Sequence, residues 1–589
     1  MSELSVLEKI MKKGCPRRIV LKLIALILLA MPALTFSTEA IQTWELIIPE
    51  GAVSIERTKV NPHPSSLVGK TIMLRWNGRL NGDRFLTRVA ELFTEKVKDV
   101  RIIKSWEVVP EATDPISGSP DRSKEFATKI AAFKPDIVIA SQADGPSSTA
   151  WLVADQIELE KMGIPTVTIA TAEFIALAKD TAFREGAFDF CFVVLPVPMG
   201  RISSTDIRER VEDIFPEILR LTTEWKPSGK LPPIKLASPA ERMKIKGRVE
   251  DVEKLFIDRG WSIGLPIVPP TPERVAQMLK GTRRKPEEFV GLVPPRMGVL
   301  TVELVATHAV MAGCRPEYMP VLIAAMEALL DPKANWKMVA TTEATSSALV
   351  IVNGPIVKEL GIAYSEGAAG ADHPANASMG YAINLISDIV GGSLPPAVDR
   401  STLGGPGDFV CWIFGENEDM LPKGWEPYHV DRGFNKSDSV VTVMGIYPPV
   451  DNGDRWSTTP EEHINWWARL VTPLLSIGGS CWGTHMEQTH IVGLCPEHAH
   501  LLAEAGWTKD QFNKAFWEKA RIPFSSWPKA CSDKETLEKK LGPITPDTEI
   551  PITLSPEGFQ TVMAGGAGMH SHFFAPIPGC FPVSKLVKK

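Results

Sequence analysis

The sequence predicts an α/β protein: a doubly wound parallel sheet in the N-terminal domain, followed by a larger mixed α/β or α+β C-terminal domain. Three observations predict it. From about residue 66 to 223, apolar strand-like runs alternate with stretches of helical periodicity, a pattern that gives a parallel sheet with helices on both faces. The stretch 224–248 carries Lys226, Pro227, Gly229, Pro232 and Pro233 and reads as a linker. In 249–589 strand and helix signals are mixed, and Gly/Pro-rich polar loops interrupt them.

The elements of the first domain follow in order. Strands are expected at 70–76, 100–106, 136–141, 164–170 and 188–195, from runs of β-branched and apolar residues. Helices are expected at 84–97, 123–133, 147–162, 172–185 and 206–222; in the first, Phe85, Val89, Leu92, Phe93 and Val97 recur at helical spacing. In the second domain, apolar helices are expected at 319–330 and 377–390, and a shorter one at 497–505.

Length and composition bound the class. The 589 residues exceed one ordinary core, so two or three domains are expected. With 44% hydrophobic and 23% charged residues the composition is that of a soluble globular protein. A net charge of −6 with no long block of like charge excludes nucleic acid as the expected partner.

Residues 1–40 read as an export signal of the twin-arginine kind: Arg17-Arg18-Ile19-Val20-Leu21-Lys22 precedes an apolar run from 23 to 36, and Thr38 and Ala40 suit a cleavage site. A periplasmic or exported protein is expected; a translation start near Met31 would make it cytoplasmic. Residues 41–65 are an N-terminal extension. The eight cysteines contain no Cys-x-x-Cys pair, and reduced, buried thiols are expected.

Two loops of the first domain fall at the carboxyl edge of the expected sheet and open helices: 77–83, with Asn77 and Asn81, and 143–149, with Asp144, Gly145, Ser147, Ser148 and Thr149. Helix N-termini there suit an anionic ligand group, although Ser147 also reads as a simple helix cap. These loops, together with 160–167, resemble the UGSC family, named for a selenocysteine-Gly-Ser-Cys turn and distantly similar to the selenoprotein B subunits of glycine reductase. Gly145, Pro146, Ser147 and Ser148 align with that turn, so both chalcogen positions lack sulfur and selenium here. The resemblance implies an enzyme ancestry in reductive, thiol-dependent chemistry that this turn cannot perform. Because no histidine occurs between His63 and His308, Ser148 has no local base.

The expected chemistry therefore moves to five polar loops of the second domain. They supply His308, Cys314, Glu416, His429 and His570 as catalytic candidates. His308 and His429 suit general acid–base work, Glu416 suits a base or an orienter of histidine, and Cys314 suits a nucleophile if His308 meets it. Arg315, Asn376, Arg400 and Arg432 are candidate substrate contacts, the arginines as carboxylate or phosphate clamps. The expected partner is a small anionic substrate held between the sheet edge and these loops, with a homo-oligomer or a paralogous partner subunit as possible assemblies. The cofactor is left unknown. A metal is a weaker expectation, from Cys481, His485, His490, Cys495, His498, His500, His570 and His572, whose spacings fit no standard zinc pattern. A non-catalytic binding protein or partner subunit is the rival reading, and a metal-dependent hydrolase or oxidoreductase a further one.

Overall fold

The computed structural model describes residues 41–52, 57–196, 203–228, 238–370, 372–396, 398–477, 486–527 and 534–588. The expected export signal with Cys15, and Cys481, His485 and Cys531, lie outside the described residues.

The first strand, β1 (Gln42–Ile47), precedes a five-stranded parallel sheet of β2 (Thr71–Trp76), β3 (Arg101–Lys104), β4 (Ile137–Ala143), β5 (Thr166–Thr171) and β6 (Phe192–Leu195). The strand order is β3-β2-β4-β5-β6, all parallel. β4 and β5 are buried along their whole length, as strands covered on both faces must be. Alternate residues divide between the faces. Ile72, Leu74, Ile137 and Ile139 pack with α1 (Gly82–Lys96) and with a later helix, Ser204–Glu224. Met73 and Val138 pack on the other side with α2 (Pro120–Ala131) and the end of α3 (Pro146–Lys161), while Ala140 and Ala170 pack with α3 and α4 (Ile175–Arg184). The helix Ser204–Glu224 is α5. The sheet is doubly wound, as expected.

Three local differences have physical causes. β3 stops at Lys104, because Ser105–Val108 turns helical and sets Trp106 edge-on against Trp76, with centroids 6.1 Å apart. α4 starts at Ile175, leaving Glu173 and Phe174 free to meet the second region. The stretch read as linker contains a strand, β7 (Arg242–Gly247), paired antiparallel with β1. Its alternating Met243 and Ile245 pack against Leu46, Val252 and Phe256 while the basic residues face outward.

One buried ion pair pins α3 to the sheet. Arg75 Nη2 of β2 meets Asp155 Oδ2 of α3 at 2.6 Å, with both side chains almost wholly buried, and Ser117 Oγ donates to Asp155 Oδ1 at 2.7 Å. Breaking such a pair by removing one partner costs about 3–5 kcal/mol.

The second region is mixed. A hairpin of β8 (Phe289–Val293) and β9 (Gly298–Thr301) comes first. Two four-stranded sheets follow. One has the order β11-β10-β12-β19, from β10 (Ser347–Asn353), β11 (Trp412–Gly415), β12 (Val440–Ile446) and β19 (Val583–Leu586). The other has the order β13-β18-β14-β17, from β13 (Val450–Gly453), β14 (His490–Leu494), β17 (Phe559–Met563) and β18 (His570–Phe574). Between them in sequence, β15 (Arg521–Pro523) pairs with β16 (Glu549–Pro551). Two apolar helices, α6 (Val302–Met311) and α7 (Met319–Leu329), are buried almost all round and form the largest core with β10 and β12. α8 (Pro374–Leu385) starts three residues before its expected first residue, with Pro at its first position, and passes into a π-helical turn at Ile386–Val390. No helix among the described residues is long and apolar enough to cross a membrane.

Candidate functional site

The sheet order creates a crevice. β2 and β4 are neighbours, paired from Ile72 with Ile137 to Trp76 with Ser141, yet α1 and α3 leave toward opposite faces. The two connecting loops diverge there, and in open α/β sheets ligands bind at such a switch point outside the carboxyl ends of the strands.

The loops are bolted together side chain to backbone. Asn77 Nδ2 donates to Gln142 O and Gln142 N donates to Asn77 Oδ1, each at 3.0 Å. Gln142 Nε2 donates to Leu80 O at 3.2 Å and to Asp144 Oδ2 at 3.1 Å. Asn81 takes a left-handed φ of 69° at the start of α1 and receives a long bond from Arg84 Nη1, 3.5 Å. Gly145 holds φ 129°, a conformation that side chains oppose. Arg79 Nε donates to Ser148 Oγ at 2.9 Å, and Ser148 Oγ donates to Gly145 O at 3.1 Å. The Ser148 proton is thus committed to a carbonyl, and among the described residues no base bonds its hydroxyl, which makes Ser148 a poor nucleophile. Ser147 and Thr149 are buried, and the Thr149 hydroxyl has no partner.

The second region closes on this edge. Arg400 Nη2 reaches Glu173 Oε1 at 2.9 Å and its guanidinium stacks 5.1 Å over Phe174. Lys337 Nζ sits 4.9 Å over the Trp151 ring of α3, and Arg184 Nη1 of α4 donates to Gly391 O at 3.1 Å. Behind Lys337 and Arg400 lies a small cavity of ≈ 50 Å³, lined by Trp336, Asn384, Asp388, Asp399 and Asp408 among others. Burial and mutual repulsion hold Asp388 well above the usual carboxylate range and push Asp399 up to about 6; burial also raises Asp408.

The other expected residues are scattered. His308 is wholly buried in α6, its Nδ1 donating to Leu304 O at 2.8 Å, and burial pulls it down to about 4. Cys314 is buried and its thiol is pushed up to about 12, so it is not an activated nucleophile. Arg315 is exposed on the turn before α7. Asn376 is a structural bolt: it accepts from Ala363 N and donates to the carbonyls of Ala363, Ala368 and Ile413. Arg432 is committed to Ser584, Gln560 and Pro582 and is no substrate clamp. His570, on β18, pairs with Asp451 at 2.9 Å, and His572 lies 3.7 Å from the same carboxylate.

Glu416 and His429 do converge. With Glu418 they place ligand-type atoms within 4.8 Å of one another. Cys481 and His485 of the set expected for a metal lie outside the described residues, and its described members do not gather into one group. His490 lies between the rings of Phe559 and Phe573, and the buried Cys495 thiol is raised. His498 instead joins Asp454 and His463, which also come within 4.8 Å of one another. Asp454 Oδ2 bonds His463 Nδ1 at 2.6 Å, while His498 bonds Asp454 O and Ser571 Oγ. Asp454 also floors an open pocket of ≈ 620 Å³ with Trp456, Trp466 and Arg469. Sequence reasoning missed Asp454 and His463. A lone histidine on the apolar face of an amphipathic helix carries the signal of a core residue, and nothing in the sequence ties it to an aspartate nine positions earlier.

The first region is a doubly wound α/β domain whose connecting loops diverge at the switch point between β2 and β4. Residues 45–224 match the UGSC family, and the chain carries a UGSC-family domain over that span. No curated protein matches the chain, and no solved structure does.

Proposed function

We propose that the chain is an enzyme for a small anionic organic molecule, bound at the switch-point crevice and transformed by acid–base rather than thiol chemistry. The observation that carries this is the seat of Arg79. Its guanidinium lies against Gly145, where a Cβ would come within 1.9 Å of Nη2, and among the described residues its Nε alone is hydrogen-bonded, to Ser148 Oγ. The two terminal nitrogens present a planar fork suited to a carboxylate or phosphate. Where the UGSC turn places its first reactive atom, this chain offers a cation.

Asp399 supplies the acid–base group. A carboxyl pushed up to about 6 exchanges a proton near neutral pH, and it precedes the arginine that meets the sheet edge. Thiol assistance has no support, since Cys314 is buried and protonated. The Arg17–Lys22 pattern supports export of the folded enzyme.

The test is calorimetric binding of a panel of small carboxylates and phosphate esters, followed by mass-spectrometric assay of the binders. Arg79→Ala is expected to weaken binding about 10-fold or more, and Asp399→Asn to stop turnover with binding kept. Unchanged binding in Arg79→Ala overturns the site. Binding without turnover of any binder makes the chain a binding subunit instead.

A further inference from the structure

The carboxyl end of β11 holds a second, separate cluster. Glu416 and Asn417 follow β11, Asn353 ends β10, Met563 ends β17, and His429 sits on the short helix Tyr428–Asp431. The cluster therefore lies where the two four-stranded sheets meet. Glu416 Oε2 accepts from Asn353 Nδ2 at 2.5 Å and from Tyr428 N at 2.6 Å, and Oε1 accepts from Met563 N at 3.0 Å. Glu418 Oε1 accepts from Gly354 N at 2.8 Å and from Asn353 Nδ2 at 3.1 Å.

Four buried atoms around these carboxylates lack hydrogen-bond partners: His429 Nδ1, His429 Nε2, Asn353 Oδ1 and Asn417 Oδ1. His429 is 0% exposed, and its Nδ1 stands 3.8 Å from Glu418 Oε1, beyond hydrogen-bond range. Asn353 cannot be turned over to remove the anomaly. Its amide nitrogen faces two carboxylates, so its oxygen must face the other way. Each buried polar atom left unpaired costs about 1–3 kcal/mol. No lysine or arginine among the described residues forms an ion pair with Glu416 or Glu418: Lys509 and Lys358 act on them only at longer range and are themselves paired with Asp431 and Asp419.

We infer that Glu416, Glu418 and His429 hold a divalent transition-metal ion of the zinc or manganese class, tying the two sheets of the second region together. One imidazole nitrogen with two carboxylates suits these ions, whereas magnesium and calcium favour oxygen alone. Asn353 holds both carboxylates in place for the ion as a second-sphere donor. The ion has a structural task here, distinct from substrate binding at Arg79.

The full chain, stripped with a chelator and dialysed, is titrated with Zn²⁺ and Mn²⁺ by calorimetry, with Mg²⁺ as control, and its Tm is read with and without each metal. One tight equivalent of Zn²⁺ or Mn²⁺ and a raised Tm are expected. Glu418→Gln, at a side chain 27% exposed and so tolerant of change, is expected to weaken binding about 10-fold or more and to abolish the Tm rise. No binding by the native chain overturns the inference. So does binding unchanged in Glu418→Gln but lost in Asp454→Asn, which would assign the ion to Asp454, His463 and His498. Neither outcome bears on anion binding at Arg79.

Discussion

Arg79 occupies the space that a side chain on Gly145 would enter: a Cβ there would lie 1.9 Å from Arg79 Nη2 and 2.9 Å from its Cζ. The two positions are therefore coupled. Gly145→Cys must displace the guanidinium and also carry a side chain at φ 129°, a strain of about 1–3 kcal/mol. The single variant is expected to lower the urea midpoint. Adding Arg79→Ala should recover the steric part and leave the backbone part, so the two changes will not be additive. Additive midpoints would show that Arg79 does not sit over Gly145.

The described cysteines, Cys191, Cys314, Cys411, Cys495 and Cys580, are buried and unbonded, and burial raises every one of their thiols. The thiolate is the reactive form. Iodoacetamide at pH 8, read by residue-level mass spectrometry, is expected to leave these five unmodified in the native chain and to label all five in urea. Cys314→Ser should keep turnover within about twofold, a change of less than 0.5 kcal/mol in the barrier. Fast labelling of native Cys314 would restore it as a nucleophile.

The sheet was legible because its signals are local. Each helix and strand of the doubly wound domain announces itself within a window of a few residues, and the gathering of loops at the carboxyl edge of an open sheet then brings Asn77 and Gly145 to one end. β7 was hidden by the prolines before it, which mark a linker although Met243 and Ile245 alternate as a strand should. The sites of the second region depend on pairings far apart in sequence: Glu416 with Asn353 and Met563, Asp454 with His498, Arg400 with Glu173. No periodicity encodes such contacts. Residue type alone suggested Arg432 and Asn376 as ligand contacts, but an arginine with three protein partners and an amide with four are fully occupied by the fold.

His308 separates a structural histidine from a catalytic one. Its folded value, about 4, lies below the ordinary 6.5 because burial disfavours the imidazolium. Above pH 6.5 it is neutral in both states and costs nothing. As pH falls from 6.5 through 4, the unfolded chain takes up a proton that the folded chain refuses, and stability is lost. His308→Leu is expected to flatten the stability–pH slope across that window by up to one proton, about 1.4 kcal/mol per pH unit, and to leave turnover unchanged. Loss of turnover with an intact fold would return His308 to the reaction.

Asp399 titrates in the opposite sense. Its folded value, about 6, lies above the ordinary 3.8, because burial and the nearby Asp408 disfavour the carboxylate. The stabilisation it gives is fully present below pH 3.8, where it is protonated in both states, and is lost as pH rises through 6, where the folded chain must release a proton from a poor site for charge. Asp399→Asn keeps an oxygen for the Ser401 N–H, which now donates to Asp399 Oδ1 at 2.8 Å, and removes the charge. Urea midpoints of the variant should therefore fall less than those of the native chain between pH 4 and pH 6. The change should also ease ionisation of Asp388, which feels Asp399 directly. If Asp399 is the proton-transfer group, the turnover limb with a pKa near 6 disappears in the same variant while calorimetric binding persists. A flattened stability profile with that limb intact would leave Asp399 a structural acid and move proton transfer to another group.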